Sequence, residues 1–147
     1  MRGQLFHNFM ANEAKVTLAR FFDQVQLEYR VRRNGTVTDL DLFACNASSA
    51  LGIEVETTQR HAIDNARKAA AVDVQTWVIV PTRALQSRLL SQLEALDLRA
   101  GGRPICVLLL GQLEQALTHY LSWRINKGIQ NKQLRNHQVG LGPGRSL

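Results

Sequence analysis

The chain has 147 residues, 45% of them hydrophobic, and a formal net charge of +6. That is the length of one domain around a single buried core, and no apolar run approaches the roughly 18 residues that a membrane span needs. Two cysteines, Cys45 and Cys106, make neither a disulfide framework nor a C-x-x-C metal pair, and the apolar part of the N-terminus is too short for a secretory signal, so a reducing cytoplasm is expected.

Ala14, Leu18, Phe21, Phe22 and Val25 recur at helical spacing, which predicts a first helix over residues 11–24 with Asn12 as its N-cap and Glu13 in its first turn. Residues 26–33 alternate as a strand. Asn34-Gly35 is a two-residue hairpin signal that returns the chain into a second strand over residues 36–44. A loop of small residues leads to a third strand over residues 52–57, so the three form a meander. Thr57 or Thr58 caps a helix to about Ala71, and its buried face of Ala62, Ile63, Ala66, Ala69 and Ala70 is small enough to lie close to a sheet. Residues 75–81 read as a buried strand, and residues 83–96 as a crossover helix with Leu85, Leu89, Leu93 and Leu96 in register. The turn Ala100-Gly101-Gly102 precedes another buried strand over residues 104–110. A last helix opens at Gly111 and runs to about Arg124, and the polar, glycine-rich remainder is expected to be loose.

The chemistry lies on the second and third strands. Asp39 and Asp41 alternate with Leu40 and Leu42, and Glu54 and Glu56 alternate with Ile53 and Val55. Alternate strand residues share a face, so each pair of acids points one way. No Lys or Arg lies between Arg33 and Arg60. If the strands are neighbours the carboxylates converge, and like charges a few ångströms apart require a shared proton or a cation. A hard divalent ion such as Mg2+ meets that need. Basic charge is concentrated elsewhere: no acid follows Glu114, while Arg124, Lys127, Lys132, Arg135 and Arg145 do. Such a segment suits phosphate contacts, and equally a solvated tail that aids solubility. His61, His119 and His137 share no metal-ligand spacing, and Trp77 and Trp123 read as packing residues.

The element order αβββαβ over residues 13–81, with T-D-L-D-L-F-A on the second strand and G-I-E-V-E on the third, resembles the core of the PD-(D/E)XK nuclease superfamily. Asp41 matches the family's aspartate and Glu54 the acid of its acid-x-Lys tripeptide. Glu56 stands where the lysine would be. The resemblance implies an α/β, restriction-endonuclease-like core with a mixed central sheet, extended by a further helix-strand-helix. It implies a nuclease domain over residues 1–126 and a basic, flexible tail over residues 127–147. The implied activity is hydrolysis of DNA phosphodiesters with Mg2+ or Mn2+, in restriction, repair or mobile-element processing.

Asp41, Glu54 and the Val55 carbonyl would hold the ion, with Glu13, Asp39 and Glu56 as further candidates. Arg60, Arg124, Lys127, Lys132 and Arg135 would track the DNA, and a homodimer able to cut both strands stays open. Glu56 leaves three readings. Gln59, at the start of the following helix, takes over the lysine's work on the attacking water; or Glu56 holds a second ion; or the site has decayed. In the last case the domain is an inactive nuclease fold that binds DNA or another protein.

Overall fold

The computed structural model describes residues 2–122, and the expected tail with Arg124, Lys127, Lys132 and Arg135 lies outside them. The chain runs α1 (Arg2–Leu18), β1 (Gln24–Arg33), β2 (Thr36–Cys45), β3 (Ala50–Val55), α2 (Ala62–Val72), β4 (Thr76–Val80), α3 (Arg83–Leu96), β5 (Arg99–Ala100), β6 (Arg103–Pro104) and β7 (Cys106–Leu109). A short 3-10 turn, Leu110–Gln112, follows, and residues 113–122 are helical. One compact unit, which carries the sheet, ends at Glu114. Among the described residues no helix is long and apolar enough to cross a membrane.

The fold is α/β with a mixed sheet. Its five strands stand in the order β1-β2-β3-β4-β7, and β5 pairs with β6 in a separate two-stranded hairpin. β1, β2 and β3 pair antiparallel, whereas β3, β4 and β7 pair parallel through the crossover helices α2 and α3. The β1–β2 turn is the expected one: Asn34 and Gly35 both take positive φ, 54° and 75°, as the two central residues of this hairpin turn require. β4 is buried along its whole length, as a central parallel strand must be.

The small face of α2 buries Ala62, Ala66, Ala69 and Val72. Ala62 and Ala66 join Val78, Val80 and Val107 of the sheet and Leu85, Leu89 and Leu93 of α3 in one core, and Val72 packs with Leu40 and Val74 in another. In β3, Gly52 leaves room for its neighbours on both adjacent strands. A Cβ built there would lie 2.9 Å from the Leu40 side chain and 3.2 Å from the Thr76 hydroxyl.

Four local expectations need correction. The first helix begins by Arg2 and ends at Leu18, so Asn12 is no cap; mid-helix, its side chain donates to the Asn8 carbonyl. Its buried stripe is Met10, Ala11, Ala14 and Leu18, and the apolar Leu5, Phe6 and Phe9 on its outer side mask the periodicity further back. β3 covers Ala50–Val55, two residues earlier than expected. α2 starts at Ala62, so the threonines at 57 and 58 lie in a loop rather than at a cap. The turn at residues 100–102 is flanked by the short β5–β6 ladder, too brief for any periodicity to announce it.

The sheet is irregular at one place. The β1–β2 register pairs Leu27 with Leu42 and Tyr29 with Leu40, and leaves out Glu28 and Asp41 between them. Glu28 there has φ 54°, a conformation that is strained in any residue with a side chain. On the other side the β2–β3 ladder stops at Leu42–Ile53, one step before Asp41 would face Glu54. Leu40 and Phe43, three residues apart, pack on the same cluster with Val72 and Val74, which unbroken alternation forbids. Asp41 therefore sits at a kink that frees its backbone from both neighbours.

This kink is testable at Glu28, which is exposed. Glu28→Gly is expected to raise unfolding free energy by about 1 kcal/mol by relieving the positive φ, and Glu28→Val to lower it by at least about 1 kcal/mol. Chemical denaturation measures both. A regular strand would reverse the order, since valine favours an extended backbone and glycine does not.

Candidate active site at the fork of two strands

Where β2 and β3 part, side-chain chemistry replaces the missing ladder. The Asp41 Oδ2 accepts the Val55 backbone N–H at 2.7 Å. The β3 edge beyond stays attached to β4, because the Glu56 N–H donates to the Ile79 carbonyl at 2.9 Å. The strand pair thus opens as a fork with Asp41 on one tine and Glu54 and Glu56 on the other. Glu54 and Glu56 are only 4% and 7% exposed. Three of the four expected carboxylates are brought together here.

Their proximity is expressed in their acidity. Burial, then the Asp41 and Glu56 charges, push the Glu54 carboxyl up from 4.5 to about 10. Glu56 is also raised, chiefly by burial, against a lowering hydrogen bond from Asn65. That bond, from the Asn65 Nδ2 on α2 to the Glu56 Oε1, is 2.8 Å long. From α1, the His7 Nε2 lies 3.2 Å from the Asp41 Oδ2. The other ring nitrogen, Nδ1, is buried and bonds to no described residue. Between these groups lies a cleft of about 220 Å³, lined by His7, Asp41, Val55, Glu56, Thr57, Thr58, His61 and Asn65.

The remaining sequence candidates fall elsewhere. Asp39 is held by two bonds from Arg30 across the β1–β2 pair, Nε to Oδ1 at 2.8 Å and Nη2 to Oδ2 at 3.1 Å. The guanidinium holds its carboxyl below the usual range, so Asp39 is an exposed ion pair and not a ligand. The base came from the neighbouring strand, which a count along the sequence between Arg33 and Arg60 cannot see. Glu13 is exposed on α1 and does not line the cleft. Gln59 lies in the 57–61 loop and not in a helix, and its side-chain oxygen accepts from the Arg88 Nη1 at 3.2 Å. It does not line the cleft. Arg60 is exposed on the same loop.

His7 and Asn65 were not foreseen. The signal for His7 was present: the buried stripe Ala14, Ala11, Met10 continues one turn back to it. Asn65 lies a turn into α2, next to the buried Ala66, and only the true start of that helix places it over Glu56.

The cleft suits a hard cation in charge and donor type. The half-buried Asp41 and the buried Glu54 and Glu56 bring three carboxyls close together, and burial with the neighbouring charges raises Glu54 to about 10. Among the described residues no group of three or more His, Cys, Asp or Glu side chains forms a ready-made cage. Mg2+ needs none, since it binds through one or two carboxylates and keeps several waters.

No protein-family model and no curated protein matches the chain. Among solved structures, the crystal structure of protein VC1899 from Vibrio cholerae is similar, with a TM-score of 0.48 and 14% sequence identity. The match covers 80% of this chain and 32% of that protein, so the chain spans about a third of its length.

The raised Glu54 acidity fixes a pH dependence. An unfolded chain releases this proton near 4.5, whereas the folded protein keeps it to about 10. Within that window the folded state binds more protons, so Glu54 costs stability as pH rises, at about 1.4 kcal/mol per pH unit. Glu54→Gln keeps the shape and removes the charge. Its stability relative to wild type should grow by about 3 kcal/mol between pH 4.5 and pH 7. Denaturant melts across that range check this, and a pH-independent difference would contradict it.

Proposed function

We propose that the domain is a metal-dependent nuclease that hydrolyses a phosphodiester of DNA, with Asp41 and Glu54 holding Mg2+ or Mn2+. The observation that carries this reading is that Asp41 and Glu56 line one open cleft at the β2–β3 fork, with the buried Glu54 carboxyl close enough to feel both charges. The resemblance in element order and in the motifs around Asp41 and Glu54 supports the same reading. When bound there, the ion supplies Lewis acidity at the phosphoryl oxygen and a lower pKa for the attacking water.

The protein's own residues would do the rest. Asp41 and Glu54 provide hard oxygen donors, and the Val55 carbonyl is a proposed third one. Glu54 gives up its proton to the solvent when a cation arrives. Glu56, in the place of the family's lysine, is fixed by Asn65 and presents a carboxylate oxygen to the cleft, where it can orient a water. His7 covers the opposite wall and holds Asp41. Gln59 is turned toward Arg88, so Glu56 and not Gln59 is the group proposed to position the nucleophile. Arg60, with Arg124, Lys127, Lys132 and Arg135, is proposed to contact the phosphate backbone.

A native-state ligand stabilises by mass action. Mg2+ or Mn2+ at 100 times its dissociation constant should therefore raise unfolding free energy by about 2.7 kcal/mol. Asp41→Asn combined with Glu54→Gln should abolish that gain and abolish Mn2+-dependent cleavage of plasmid and oligonucleotide DNA. A gain that survives the double substitution would remove the site. Metal binding without cleavage of any DNA form would leave an inactive nuclease fold that binds DNA or protein.

The tail has its own readout. Lys132→Ala with Arg135→Ala should lower the slope of log affinity against log salt by about 1.8 on duplex DNA, at roughly 0.9 per phosphate contact. An unchanged slope would assign those residues to solubility.

A further inference from the structure

Beside the acidic cleft lies a second concavity of about 500 Å³, within the range of roughly 300–1,000 Å³ that small-molecule sites occupy. Phe6, Phe9 and Met10 of α1 form one wall, and Pro81, Arg83 and Leu109 lie on the other side. The two phenylalanines keep 46% and 55% of their surface in solvent, which is high for such side chains. Resting on the reading of the cleft as a phosphodiester site, we propose that this groove is a nucleobase subsite. It would take the unpaired base next to the scissile phosphate, so the substrate is single-stranded or locally unpaired nucleic acid.

Cleft and groove are joined through two elements. On α1, His7 lines the cleft and its neighbour Phe6 lines the groove. In the sheet, Glu56 bonds to the Ile79 carbonyl, and Val80, the next residue, lines the groove. The two places are therefore contiguous along the chain on both elements.

The groove's chemistry selects the occupant. Aromatic faces stack any base, but only a base that has left its duplex stack presents a free face. Arg83, exposed at the start of α3, makes no ion pair with any described residue. The first turn of α3 carries no acid, so the helix end adds to that positive charge. A wholly apolar partner would bury the guanidinium uncompensated. A nucleotide brings a base for the phenylalanines and a phosphate for Arg83.

The test is fluorescence anisotropy with a labelled oligothymidylate and with a duplex of equal length, in EDTA so that nothing is cut. The full chain should prefer the single strand. Phe6→Ala and Phe9→Ala, both at exposed positions, should each weaken single-strand binding about 5- to 150-fold, the range of base–aromatic stacking, and leave duplex affinity unchanged. Phe9→Tyr should retain binding, whereas Phe9→Leu, equally apolar but unable to stack, should lose it. Full binding by Phe9→Leu, equal losses on duplex, or no loss at all would overturn the subsite. So would a wild-type dimer that Phe9→Ala converts to monomer in sedimentation, since a second copy would then occupy the groove. Cleavage of the same oligonucleotides with Mn2+ reports separately on the phosphodiester reading. Cleavage without the phenylalanine effect rejects the subsite alone, and the phenylalanine effect without cleavage rejects hydrolysis alone.

Discussion

The site depends on one short hydrogen bond, from the Val55 N–H to the Asp41 carboxylate at 2.7 Å. A sheet that continued regularly would give that N–H a backbone partner and leave Asp41 aimed along the alternating pattern. Instead the ladder stops at Leu42–Ile53, and a side chain does the work of the backbone. A buried N–H left unpaired would cost about 1–3 kcal/mol, so the carboxylate is held in place by the fold's own need. The left-handed turn at Glu28 lies directly across β1–β2 from this point and is the strain that accompanies it.

With Asp41 fixed, the charge problem follows. Glu54 is one residue from the bonded N–H and almost wholly buried, with Glu56 beyond it. Three negative charges in that space are unfavourable, and a chain has two remedies. It can hold a proton, which the raised Glu54 acidity describes, or it can hold a cation, which is the proposed function. The two remedies exclude each other at the same oxygens. The close packing of α2 matters here, because its alanine face brings Asn65 near enough to bond Glu56 and line the cleft.

Much of this was legible in the sequence. The order of elements, the Asn34-Gly35 turn and the span of α3 follow from local patterns that tertiary packing did not override. Asp41, Glu54 and Glu56 could be singled out because alternation within a strand is a local rule. Asp39 obeyed that rule and still left the site, since its partner Arg30 comes from a different strand at a register fixed by the turn. Gln59 was misplaced because the loop after β3 runs six residues before α2 begins, and neither threonine there makes a cap. His7 lay hidden behind Leu5, Phe6 and Phe9, which blur the buried stripe of α1 by adding apolar residues to its outer side. The break at Asp41 has no local signature at all; it arises where three strands must satisfy different partners.

The central claim is that the fork concentrates negative charge at the buried Glu54, where a proton or a metal ion balances it. Carbon-13 NMR of the Glu54 side-chain carboxyl, titrated with and without Mg2+, tests it most directly. The account predicts that without metal the signal stays protonated through neutral pH and titrates near 10. With Mg2+ it should titrate at least about two units lower, with release of a proton on binding. A Glu54 carboxyl that titrates near 4.5 and ignores Mg2+ would contradict the account.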